Sequence, residues 1–404
     1  MKRRIFLQKI GCAAAGVPFW MGIIPENLQA KVPPGLKITN IKSYIVRSAV
    51  YVKIYTNEGL TGIGQGNINS MERAVDGAVK DLGEYIIGRN AADIEFLWQV
   101  MWKWPRARGG ALTYGAISAL DIALWDILGK AMDVPIYRLL GGAARDRVRV
   151  YTHAQGSTPE EMTELTLQRM EEGYTAIRTS IPQEDLLPRP WNFKKAVAHI
   201  EAMRKAAGDD VDILIDAHGR MTPVQTLEFA NAVEQYRIMF IEDPVVPENL
   251  GALKWIGDHT EVPLGIGENH YSKFDFRDII FNNLARYVRP DALWAGGITE
   301  CKKIAAMADA FFIDVVLHGG GTINSFAATH ISASTPNCVM QEPRGGRASE
   351  LFYGADITLK NGYVELPTEP GLGCDLNEDY AKAQPYNPGS MPKNIYPDGS
   401  PSDW

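Results

Sequence analysis

Cysteine is scarce in this 404-residue chain. Cys12, Cys301, Cys338 and Cys374 are widely spaced and no C-x-x-C pair occurs. That excludes a disulfide framework and leaves buried or idle thiols as the expectation. A basic excess is also missing: 41 Lys and Arg stand against 48 Asp and Glu, for a net charge of −7. The first thirty residues hold Lys2, Arg3, Arg4 and Lys9 against Glu26, a balance of +3, so the remainder carries −10. Nucleic-acid binding needs basic patches that displace counterions, and this composition argues against it. The 38 Gly and 24 Pro are scattered, so no collagen-like or low-complexity segment is present. What remains is an ordinary balance of 46% hydrophobic and 22% charged residues. It excludes a mostly disordered chain and a polytopic membrane protein. The length serves one large domain or two ordinary ones.

The N-terminus places Arg3 and Arg4 before Ile5 and Phe6, with an apolar stretch over 10–24 and Ala30 at a plausible cut site. This resembles a twin-arginine signal. The stretch is about 15 residues and contains Pro18, short for a spanning helix. Residues 1–30 are expected to be removed on export, leaving a periplasmic protein without a membrane segment.

Residues 37–66 alternate apolar and polar positions around a turn at Asn57, Glu58 and Gly59, the pattern of an antiparallel meander. From about residue 71 to 140 the period becomes helical, most clearly over 112–132. Together these predict an α+β domain over 31–145. After Gly141 and Gly142, eight short apolar runs alternate with helical segments: 148–153, 176–179, 213–216, 239–242, 264–268, 287–291, 315–318 and 339–342. Most are apolar throughout, as strands of a covered parallel sheet are. Eight strands with seven crossovers predict a (β/α)₈-type barrel over 146–355. The stretch 356–404 returns to short strands and a Pro-rich tail, expected to rejoin the α+β cap.

Asp216, Glu242 and Glu268 each close an apolar run, 26 residues apart. One βα unit covers that length. The three acids are therefore expected at one height on neighbouring strands, at the C-terminal mouth where barrels of this type hold their active sites. Three converging carboxylates repel one another unless a cation joins them, and an all-oxygen set suits Mg²⁺. A single strand-end acid is more often a cap or a surface group; three in register are not. His218 follows Asp216 by two, so both are expected on one face of an extended segment. His318 ends the seventh run and Asp291 the sixth, close enough to share a hydrogen bond that fixes the imidazole tautomer. His270 lacks such support and reads as structural; His153 stays open.

This combination resembles the enolase superfamily, and within it the mandelate racemase subgroup. The likeness is carried by the meander, 114–126, Gly141 with Gly142, 240–244, Gly267 with Glu268, Pro290 with Asp291, 295–300 and 370–373. It implies Asp216, Glu242 and Glu268 as ligands of one Mg²⁺, and Asp291 with His318 as a base dyad that forms a metal-stabilised enediolate. It also implies Glu342 as an acid that hydrogen-bonds the substrate carboxylate, with Arg178 assigned to substrate binding. Racemases of the subgroup carry Lys-x-Lys after the second barrel strand; here Arg178, Thr179 and Ser180 stand there, which removes the second base. Asp216 to Arg220 and 271–276 resemble galactonate dehydratase, in which the Asp-x-His histidine expels the hydroxyl; 150–156 looks more like mannonate dehydratase. The expected activity is Mg²⁺-dependent dehydration of a sugar acid to a 2-keto-3-deoxy acid by a homo-oligomer. His318 takes the C2 proton and His218 protonates the leaving hydroxyl. The alternatives are an epimerase on the same scaffold and a non-catalytic sugar-acid binding protein.

Overall fold

The computed structural model describes residues 35–186, 191–342, 350–354, 356–388 and 393–402. The expected export signal and Cys12 lie outside them. Three antiparallel strands open the described chain: Ile38–Val46, Ala49–Thr56 and Thr61–Gly66. The helices Glu72–Ile86 and Ala111–Met132 pack against them, and Ile94–Lys103 packs against those two helices. The third strand shows why the sequence reads Thr-Gly-Ile-Gly-Gln-Gly. A Cβ on Gly62, Gly64 or Gly66 would come within 2.1 Å of a carbonyl oxygen of Ala123, Ala119 or Gly115. Only glycine at every second position lets this strand lie directly on the helix. The same alternation turns Ile63 and Gln65 to the opposite face. Ala111–Met132 is long and apolar enough to cross a membrane, but most of it is buried within the protein.

The barrel strands are Thr152–His153, Ala176–Ser180, Asp212–Asp216, Phe240–Glu242, Leu264–Ile266, Tyr287–Val288, Asp314–Leu317 and Cys338–Gln341. They form one parallel sheet in sequence order. A parallel bridge from Val150 to Gln341 joins its two ends, so the sheet closes. The run 148–153, expected as one strand, is split. Arg147–Arg149 pairs antiparallel with Tyr363–Glu365 outside the barrel, and only Thr152–His153 enters it. Every one of the seven crossovers between these strands carries at least one helix, several with capped starts. Thr158 caps Pro159–Glu171, Thr222 forms a capping box with Gln225 ahead of Pro223–Val233, and Ser272 caps Lys273–Phe281.

Side-chain alternation sorts the strands' two faces. Ile177, Ile213, Ile215, Ile241, Val315 and Leu317 join the large core between sheet and helices. Tyr151, Ala176, Leu214, Phe240, Val316 and Met340 form a separate layer inside the barrel. Arg178, Asp216, Glu242 and His318 share the parity of that inner layer, so they continue it toward the C-terminal mouth. The segment after the barrel reaches the cap strands: Lys53 pairs with Asp375 at 2.9 Å and the Tyr44 hydroxyl donates to Glu378.

Candidate active site

A cleft of about 350 Å³ lies between the barrel mouth and the cap. Arg178, His218, Glu268, Asp291, Trp294 and His318 line it from the barrel, and Tyr51, Gln65 and Asn67 are among its cap residues. The expected dyad is present: His318 Nδ1 lies 2.6 Å from Asp291 Oδ2. Asn324 Nδ2 donates to both Asp291 oxygens at 3.0 Å, and the Leu293 amide donates to Oδ1 at 2.6 Å. Asp291 is thus held as an ionised acceptor, and Nε2 of His318 is left for the cleft. Burial alone would lower the pKa of His318, but Asp291, then Glu342 and Glu268, push it up to about 9.

The three strand-end acids are brought to the same mouth and fully or almost fully buried, though not at one height. Asp216 pairs directly with Glu242, whereas Glu242 pairs with Gly265. The fifth strand ends at Ile266, so equal spacing in sequence conceals a shorter strand and a turn. That turn is fixed by Asp243, whose carboxylate accepts from the Gly267 and Glu268 amides at 3.0 and 3.2 Å. Nor do the acids form a ready cage: among the described residues no group of three carboxylates or histidines stands at metal-holding spacing. Arg178 takes the position between them, its Nη1 bonded to Asp216 Oδ2 and 3.3 Å from Glu242 Oε2. Glu268 instead faces His318 Nε2 at 3.3 Å.

Arg178, assigned to substrate binding, lines the cleft with its guanidinium bonded to Asp216 and close to Glu242. Glu342 follows the last barrel strand. It is buried, 3.0 Å from His153 Nε2 and 3.8 Å from His318 Nε2, and accepts from the Gly319 amide at 3.2 Å. Burial would raise its pKa, but Arg178 and the two histidines hold it well below the carboxylate range. His153 stands beside it at ion-pair distance, a neighbour that its sequence position did not reveal. His270 is buried, and among the described residues neither of its ring nitrogens has a hydrogen-bond partner.

His218 does not lie on an extended segment. Its φ of 52° puts it in a left-handed turn, fixed by the Gly219 amide donating to the Asp243 carbonyl at 2.6 Å. The turn still returns Nε2 to within 2.9 Å of Asp216 Oδ2. Arg220 Nη2 lies 3.2 Å from Nδ1. A guanidinium only donates, so Nδ1 accepts and Nε2 carries the proton, facing Asp216 and the cleft.

Arg289 was absent from the sequence reading. It is wholly buried beneath the site, with Nη2 2.8 Å from both Glu242 Oε1 and the Tyr151 hydroxyl. It also lies over the Tyr151 and Phe240 rings at 5.6 and 5.3 Å. Its only sequence signal is its position two residues before Asp291. The site's acids, Asp216, Glu242, Asp243, Glu268, Asp291 and Glu342, outnumber the guanidinium groups beside them, Arg178, Arg220 and Arg289, so negative charge is in excess. Burial, and next the neighbouring Asp216, accordingly push the Glu268 carboxyl well above its ordinary range. Glu242 Oε1 meets Arg289 as an ion pair but without an aligned hydrogen bond, which leaves it acceptor capacity. An oxygen-only set with that excess fits a hard divalent cation.

Comparison with known proteins establishes the family. Residues 24–141 match the mandelate racemase/muconate lactonizing enzyme N-terminal domain, and 161–380 match the enolase C-terminal domain-like family. A D-mannonate dehydratase of Sphingomonas sp. (strain SKA58) is 36% identical, over 89% of this chain and 96% of that one. A D-galactonate dehydratase of Variovorax paradoxus (strain S110) is 34% identical, over 91% and 100%. Among solved structures, an enolase from Agrobacterium radiobacter with sodium and L-malate bound superposes with a TM-score of 0.85 at 29% identity, over 91% of this chain and 100% of that one. An enolase-superfamily member from Salmonella Typhimurium gives 0.80 at 31%, over 87% and 98%. The chain belongs to the mandelate racemase/muconate lactonizing enzyme family of the enolase superfamily.

Proposed function

We propose that this protein is a Mg²⁺-dependent hydro-lyase that converts a sugar acid of the aldonate class, galactonate-like, to a 2-keto-3-deoxy acid. The observation that carries the reading is the placement of two differently equipped histidines on one cleft. His318 is backed at Nδ1 by a fixed Asp291, and His218 presents a protonated Nε2 beside Asp216.

A divalent cation held by Asp216, Glu242 and Glu268 would supply positive charge to the substrate carboxylate, acidifying C2–H and relieving the carboxylate pull on His318. The chain's own residues do the rest. Asp291 holds the His318 ring and supports its charge when Nε2 receives the C2 proton. As an imidazolium supported by Asp216, with Arg220 withdrawn from Nδ1, His218 gives a proton from Nε2 to the departing C3 hydroxyl, so water leaves rather than hydroxide and a neutral imidazole remains. Trp294, with its ring 5.2 Å from that of His318, shields the base from bulk water. The product enol then ketonises. An epimerase would need a second base opposite His318, and the guanidinium at position 178 does not deprotonate.

The test is a panel of aldonic acids incubated with purified protein and Mg²⁺, scored for 2-keto acid. Turnover of one or more acids, abolished by chelation and restored by Mg²⁺, is expected; no keto acid from any member would contradict the reading. We also propose that residues 1–30 direct export, on the strength of Arg3, Arg4 and the following apolar stretch. Changing both arginines to lysine should leave the precursor inside the cell, and undisturbed export of that variant would remove the twin-arginine assignment.

A further inference from the structure

Asp291 stands at the end of a strand, Tyr287–Val288, that is only two residues long. The helix Gly297–Asp309 follows closely. Between them the chain makes one tight turn: the Asp291 carbonyl accepts from the Trp294 and Ala295 amides at 3.1 and 2.8 Å, and its carboxylate from the Leu293 amide. Asp291 thus shares a short, internally bonded turn with the start of that helix. The helix has no side-chain cap of its own. Gly296 precedes it, with a φ of 89°, and offers nothing to accept the first helical amides.

The acceptor comes from the other domain. Asp121, on the cap helix Ala111–Met132, is wholly buried. Its Oδ2 accepts from the Thr299 amide at 3.0 Å and its Oδ1 from the Thr299 hydroxyl at 2.5 Å. Trp125 Nε1 donates to the same hydroxyl oxygen at 2.8 Å, so the hydroxyl proton is directed at Asp121. One turn earlier on the cap helix, Ser118 Oγ accepts from the Gly296 amide at 2.9 Å, and Trp98 Nε1 donates to the Gly296 carbonyl at 2.8 Å. The approach is as close as it can be: a Cβ on Gly297 would stand 2.3 Å from Asp121 Oδ2. A buried carboxylate is a costly way to join two domains unless its hydrogen bonds are needed. Here it meets two donors of fixed direction and the positive end of a helix.

We propose that Asp121 is a positioning residue that pins the turn between Asp291 and Thr299 from the cap, and so holds Asp291 at His318 Nδ1 and Trp294 beside the His318 ring. This deepens the dehydratase reading and rests on it for the step that the dyad serves. Asp121 does not line the cleft, so its effect passes through the base and not through substrate binding. An amide in its place has one acceptor. Whichever way it turns, its NH₂ faces either the Thr299 amide or the hydroxyl proton that Trp125 directs, and the turn must shift. Thr299→Val removes the hydroxyl at nearly constant shape, and Thr299→Ser keeps it.

The test is read at pH 8, above the value of about 7 to which burial raises the Asp121 carboxyl, so that the wild-type group is ionised. With Mg²⁺ and an aldonate that the wild-type protein dehydrates, Asp121→Asn and Thr299→Val should lower kcat by roughly 10- to 10²-fold and leave KM within about 2-fold. C2 exchange in deuterated water should fall by the same factor. Thr299→Ser should keep both close to wild type. A second readout needs no turnover: nitrogen NMR of histidine-labelled protein, with the Nδ1 signal of His318 assigned by its loss in His318→Asn. That signal should move in Asp121→Asn and Thr299→Val and stay in Thr299→Ser. A contact that only fastens the domains would lower the melting temperature and move neither kcat nor Nδ1, and that result would overturn the proposal. So would a rise in KM at unchanged kcat, or Thr299→Ser behaving as Thr299→Val does. Thr299→Val carries the test if Asp121→Asn does not fold. If Nδ1 moves while the wild-type protein forms no keto acid from any acid, the positioning stands and the dehydration reading fails.

Discussion

Replacing Arg289 by methionine tests the electrostatic frame under the site. Arg289 is fully buried and its Nη2 serves Glu242 Oε1 and the Tyr151 hydroxyl, both at 2.8 Å, with Glu342 at 3.8 Å. Methionine keeps most of the apolar stem over Tyr151 and Phe240 and removes the charge. Glu242 then retains only Arg178 at 3.3 Å, and Glu342 retains its histidines. Leaving one buried carboxylate without its partner costs about 3–5 kcal/mol. Urea unfolding at pH 7 should show a loss of that size. The second change Glu242→Gln, made in the Arg289→Met background, should return about 1–3 kcal/mol, because the stranded charge is gone. A loss under about 1 kcal/mol, or strictly additive effects of the two substitutions, would refute the claim that Arg289 neutralises the acids from below.

Two further outcomes follow from other parts of the fold. His330 is wholly buried, with Nδ1 accepting from the Tyr137 amide and Nε2 facing the Leu372 carbonyl, both at 3.3 Å, and burial lowers its pKa to about 4. Between pH 6.5 and 4 the unfolded chain therefore binds a proton that the folded chain refuses. Stability present above pH 6.5 should fall by roughly 2–3 kcal/mol as pH drops toward 4, and His330→Asn should flatten that slope in unfolding measured across the range. Gly64→Ala places a methyl within 1.9 Å of the Ala119 carbonyl; a thermal unfolding scan should register a loss of about 1–3 kcal/mol or more, and an unchanged midpoint would contradict the strand-on-helix contact.

The sequence disclosed most about the features that repeat. Alternation of short apolar runs with helices exposed the barrel, and acids at the ends of those runs exposed Asp216, Glu242 and Glu268. Asp291 and His318 were legible because two adjacent parallel strands ended in complementary groups. What stayed hidden depends on register and on the third dimension. Equal 26-residue spacing could not show that Glu242 pairs with Gly265. The left-handed turn at His218 depends on a carbonyl of the next strand. Arg289 sits in a short segment that also reads as surface, and only burial against Tyr151 and Phe240 reveals its role. Asp243 was visible within the Ile-Glu-Asp-Pro motif, but its work as the clasp of the Gly267–Glu268 turn is a contact between neighbouring strands.

The central claim is that His318 opens the reaction and His218 completes it. With an aldonate substrate and Mg²⁺ in deuterated water, the measurement is exchange of the C2 hydrogen alongside 2-keto acid formation, in wild-type, His218→Asn and His318→Asn proteins. Removing His218 leaves the base and its Asp291 partner, so exchange should persist while keto acid falls by roughly 10²–10⁴-fold. Removing His318 should abolish both. Exchange that survives the loss of His318 but not of His218 would show the two roles reversed.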